Sequence, residues 1–113
     1  MTTTTVTPAD LAHQLKNLTA KLHSALNAEN LTPEDRIAVL PDLQEAGEHF
    51  AGVLRAVGCG TYENAVGTQA RALWEPVSDA ADAAADLIIK GAQAIDDVRE
   101  MAEDALLAHK AMA

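Results

Sequence analysis

The sequence predicts an all-α fold, an antiparallel helical bundle of three to four helices with a long C-terminal helix. Three observations predict it. Apolar residues fill 49% of the 113 positions while aromatics reach only 3%, because much of the apolar content is alanine, the strongest helix former. Apolar residues recur at alternating steps of three and four over long stretches, the period of one helix face. Runs of β-branched residues alternating with polar ones, the mark of a half-buried strand, are few. At this length a single helical domain is expected over 7–113, behind a disordered threonine-rich tail over 1–6.

The first helix opens at Thr7-Pro8-Ala9-Asp10. Thr7 accepts from an orphan amide, Pro8 lacks only an N–H that would be unbonded there, and Asp10 faces the positive helix end. Leu11, Leu15, Leu18, Leu22 and Leu26 follow on one narrow stripe, and Asn30 is expected as a left-handed cap. Thr32-Pro33-Glu34-Asp35 repeats the start signal for a short helical turn over 33–40. Pro41 then opens a second main helix with Leu43, Ala46, Gly47, Phe50, Val53, Leu54 and Val57 on its apolar face. Gly58 is expected to end it, and Gly58-Cys59-Gly60 to form a tight linker.

Thr61 reads as the cap of a third, shorter helix lined by Tyr62, Val66, Gln69 and Leu73, broken at Trp74-Glu75-Pro76 because a residue before proline is pushed from helical angles. From Pro76 to about Met112 no further proline appears. Val77, Ala81, Ala84, Ile88, Gly91, Ile95, Val98, Ala102, Ala105, His109 and Met112 keep the four-three step, and Leu87, Ala94, Met101 and Ala108 widen the stripe. Asp82, Asp86, Gln93, Asp97, Glu100 and Asp104 fall opposite.

Unbroken, that last helix runs roughly 55 Å at 1.5 Å per residue. A compact domain of this size is about 35 Å across, so the helix overhangs its own globule. Either it breaks near Gly91 and folds back, or another chain covers the stripe; coverage by a second copy is the preferred reading. The expected interface comprises Ile88, Gly91, Ile95, Val98, Ala102, Ala105, Leu106, His109 and Met112, with Trp74 beside Pro76 as an aromatic anchor; packing at the corner between helices is the alternative and preferred reading of Trp74, and Arg71 is close enough in sequence to stack on it. His109 also suits the negative end of the helix dipole.

Candidate chemistry is sparse. Glu45, Glu48 and His49 offer carboxylate and imidazole on one helix, but the i to i+3 spacing of di-iron bundles and its second copy are absent, so a solvated polar face is the preferred reading. His13 and His23 lie on different parts of the first helix's polar face. Cys59 has no His or Lys beside it in sequence to make a thiolate. The Gly-x-Gly at 58–60 lacks the strand and third glycine of a phosphate loop. No nucleophilic triad or paired-carboxylate arrangement emerges.

A net charge of −9 with only eight Lys and Arg argues against direct nucleic-acid binding and against anionic membrane surfaces. One cysteine allows no intrachain disulfide, and the N-terminus lacks the pattern of a secretion signal, which together predict a cytoplasmic protein. The expectation is a non-enzymatic interaction module without cofactor or metal, a homo-oligomer (dimer) or the partner of another protein in a regulatory, assembly or mobile-element accessory role. The alternatives are a metal- or small-ligand-binding bundle and an acidic nucleic-acid mimic that occupies a DNA-binding protein.

Overall fold

The computed structural model describes residues 5–112, which form four α-helices and no strand: α1 (Pro8–Leu26), α2 (Pro33–Ile37), α3 (Leu40–Asn64) and α4 (Arg71–Met112). Most of the expected tail over 1–6 lies outside the described residues. The chain divides into two compact units, one through Arg36 and one from Ile37 onward.

In the first unit the start signals act as the residue types dictate. Thr7 Oγ1 accepts from the Asp10 amide and Asp10 Oδ2 accepts from the Thr7 amide, both at 3.1 Å. Thr32 and Asp35 repeat this capping box at 3.2 Å. The end of α1 differs from expectation. It closes at Asn27 with φ −90°, and no non-glycine residue among those described has positive φ, so Asn30 is not a left-handed cap. Arg36 does the capping instead. Its guanidinium donates to the carbonyls of Leu26 (3.2 Å), Ala28 (3.1 Å) and Leu31 (3.2 Å), satisfying the turn between α1 and α2 from one side chain. The leucine stripe of α1 stands exposed at Leu11, Leu15 and Leu18.

In the second unit, α3 and α4 form an antiparallel hairpin. Gly58 sits against Ala81, and moving back along α3 to Gly47 moves forward along α4 to Ala92. The seam is made of small residues, with Ala51, Gly58, Ala81, Ala85 and Ala92 buried. A methyl added at Gly58 would run into Ala81 Cβ and come within 3.1 Å of the Val77 carbonyl oxygen. Gly58 therefore does not end the helix as expected; α3 runs through Gly58-Cys59-Gly60 to Asn64, and Thr61, read as a cap, donates its hydroxyl to the Val57 carbonyl inside the helix. Close approach of a second backbone, invisible in one helix's own pattern, is what the glycine serves.

The third helix expected over Tyr62–Leu73 does not form. Tyr62 belongs to the last turn of α3, and the chain reverses through turns around Gly67, whose φ of +85° is the left-handed region. Leu73 and Trp74 already lie in α4, which continues through Pro76. The proline deprives the Ala72 carbonyl of a hydrogen bond only near the start of the helix, where Ala72 is exposed. The 42 residues of α4 run unbroken through Gly91, about 63 Å. In the hairpin register the first residue of α3 lies opposite Arg99, so residues 100–112 pass beyond its start.

Gly58→Ala lowers stability by about 1–3 kcal/mol through overpacking, despite better helix propensity, whereas Gly52→Ala, in a helix with nothing within 4 Å of the new methyl, raises it by about 1 kcal/mol; urea titrations of the two variants read opposite signs. Arg36→Ala removes three charge-assisted bonds and weakens the α1–α2 turn by about 1 kcal/mol, seen as roughly fivefold faster amide exchange over residues 27–31.

Candidate interaction surface

The hairpin has two unlike sides, and their difference follows from helix geometry. Along α3 the residues on the seam are Gly47, Ala51, Leu54 and Gly58; along α4 they include Ala81, Ala85, Ile88, Ala92 and Ile95, all buried or half-buried. Stepping one residue forward turns a side chain about 100° around the helix, and one residue back turns it equally the other way. Because the helices are antiparallel, forward steps from both land on one side of the hairpin and backward steps on the other.

The forward side is charged. Arg55 follows Leu54, and Asp82 and Asp86 follow Ala81 and Ala85. Arg55 Nε donates to Asp82 Oδ1 at 3.0 Å and a terminal nitrogen donates to Asp86 Oδ1 at 2.5 Å, tying the helices together. The hydrogen bond with Asp82, the nearby carboxylate charges and the bond with Asp86 hold the Arg55 guanidinium above its ordinary pKa, against desolvation. Near the level where α3 begins, Arg99 takes a seam position and bonds Asp96 (2.7 and 3.1 Å) and Glu103 (3.2 Å) along its own helix. Asp96 first and Glu103 second raise its pKa.

The backward side is apolar and open. On α3 it carries Phe50, Val53 and Val57, and on α4 Val77, Leu87, Gly91, Val98 and Met101. Val57 is 62% exposed, Leu87 69% and Met101 72%, whereas no large side chain among those described is fully buried. The distribution is skewed: the buried seam residues are alanine and glycine, Leu54, Ile88 and Ile95 are half-buried, and Phe50, Val53, Val57, Leu87, Val98 and Met101 stand exposed. So α4 carries two seams about 100° apart, one occupied by α3 and one unoccupied within the hairpin.

The residues expected at an interface divide between these seams. Gly91, Val98, Ala105 and Met112 are exposed on the open one. Ile88, Ile95, Ala102 and Leu106 are half-buried, the isoleucines at the edge of the α3 seam nearest the open one. His109 is exposed in the last turn with Lys110, and Trp74 is 38% exposed near the start of α4. Arg71 does not stack on Trp74. It lies 5.5 Å from the Tyr62 ring centroid and donates Nε to the Tyr62 hydroxyl at 3.0 Å, joining the end of α3 to the start of α4; that bond is the first cause of its raised pKa. The open seam on α3 and its alignment with that of α4 depend on the hairpin register, which the spacing along either helix does not contain.

The other candidates are surface features. His49 Nε2 stands 3.8 Å from Glu45 Oε1 with both side chains more than 70% exposed. No cluster of three or more metal-ligating side chains occurs among the described residues. Cys59 is half-buried within α3 and its thiol donates to the Ser78 carbonyl at 3.6 Å. His13 and His23 are exposed on α1. No helix among the described residues is long and apolar enough to cross a membrane. No family model, curated protein or solved structure matches this chain.

Proposed function

We propose that this protein is a non-enzymatic interaction module whose hairpin self-associates through the open apolar side of α3 and α4. The observation that carries the reading is that the buried residues of the hairpin are all alanine or glycine while Phe50, Val53, Val57, Leu87, Val98 and Met101 stand exposed. Burial of a large aliphatic side chain contributes about 1.5–3 kcal/mol, several times what an alanine methyl supplies, so most of the apolar free energy encoded in this unit is realised when a further surface covers it. Contiguous exposed apolar faces of this kind mark contact surfaces. The uninterrupted course of α4 through Gly91 removes the fold-back that would let the helix cover its own stripe. A second copy is the occupant because the face is long, apolar and built on a regular helical repeat, and symmetric pairing is the commonest assembly of soluble chains.

Light scattering on the purified protein at micromolar concentration reads this directly. The expected mass is a multiple of 11.9 kDa. Leu87→Glu combined with Val98→Glu shifts it to the monomer while helical circular dichroism persists, since both positions are exposed in the single chain. A wild-type monomer across the micromolar range overturns the proposal.

A further inference from the structure

Resting on that self-association, the geometry points to one arrangement: two α4 helices pairing antiparallel about a two-fold axis between Gly91 and Ala94, with Lys90 of each copy against Asp97 of the other. On the open seam, Ala84, Leu87, Gly91, Ala94, Val98 and Met101 alternate by three and four residues, the repeat that meshes two helices side by side. Lys90 immediately precedes Gly91 and Asp97 immediately precedes Val98, so both flank this seam on the side away from α3. Both are exposed, and neither enters an ion pair with the described residues of its own chain.

Residues flanking a helical seam select orientation and register, and here they discriminate. With Leu87 opposite Val98 of the second copy, Gly91 opposite its Ala94 and Ala84 opposite its Met101, the geometry sets Lys90 beside Asp97 twice, once on each side of the axis. A shift of one heptad in one direction sets Lys90 against Lys90; in the other it sets Lys90 against Asp104 but Asp97 against Asp97, so the stated register is the one of the three that matches Lys90 with a carboxylate and leaves no like pair. A parallel pair sets Lys90 against Ile95 and Asp97 against Ala102, with no charge matched.

Helix length selects the same register independently. The axis between Gly91 and Ala94 falls near the midpoint of Arg71–Met112, so Leu73 lies opposite Met112 and the helices overlap almost end to end. The heptad-shifted alternatives strand a turn or more of apolar seam at each end. The same axis brings the α3 helices of the two copies together with Phe50 and Val53 on the shared side, completing a four-helix core in which each long helix reaches past the start of its own α3.

Charge exchange tests the register separately from association. Lys90→Glu, and independently Asp97→Lys, each weaken the dimer about tenfold, as two attractions become two repulsions, and the double variant restores it. In a Cys59→Ser background, Leu87→Cys with Val98→Cys forms disulfide-linked dimers on mild oxidation, whereas Leu87→Cys alone does not. A dimer indifferent to the charge changes, or one that Leu87→Cys alone crosslinks, overturns this register while leaving self-association standing. A wild-type monomer removes the reading beneath both.

Discussion

The approach of α3 to α4 at Gly58 and Ala81, repeated at Gly47 and Ala92, governs the rest of the second unit. Two helices come this near only where neither presents more than a methyl group at the point of contact. Three consequences follow. The register is set by where the glycines meet the alanines. Arg55 lands within reach of two aspartates one turn apart on the facing helix. Around these contacts Leu54, Ile88 and Ile95 reach the seam, half-buried, and Phe50, Val53, Val57, Leu87, Val98 and Met101 stand exposed on one flank.

That arrangement links packing to function. A seam of alanine and glycine gives geometric definition but removes little apolar surface from water, because the groups it buries are small. The leucines, valines, phenylalanine and methionines on the outer flank hold the larger share of the hydrophobic free energy, available to whatever covers them. The division of the hairpin into an ion-paired side and an apolar side directs that contact: desolvating the Arg55 cluster without compensation is unfavourable, while covering Phe50, Val53, Leu87 and Val98 is favourable. The acidic balance of the chain, −9 overall, opposes association at random, so the opposite charges flanking the open seam weigh in the choice of register.

The first unit follows a different logic. Its helices are short or narrow-faced, and local hydrogen bonds specify it: two capping boxes and the guanidinium of Arg36. Capping boxes were legible because each uses residues three apart in sequence. The Arg36 bonds were not, because they join positions up to ten residues apart through a turn whose shape no local pattern describes.

The local code therefore carried the helical class, the start of α1, the short α2 and the long periodic C-terminal helix, because propensity, capping and a 3.6-residue period act within a few residues of themselves. It misplaced the elements between 58 and 76 for one reason. Glycine and proline were read as punctuation, whereas Gly58 is a packing surface for Ala81 and Pro76 is absorbed early in α4. The stripe on α4 was visible as apolar periodicity, but it proved to be two seams merged in projection. Which residues turn toward α3 and which stay open depends on the partner helix, a long-range pairing that spacing along one helix does not contain.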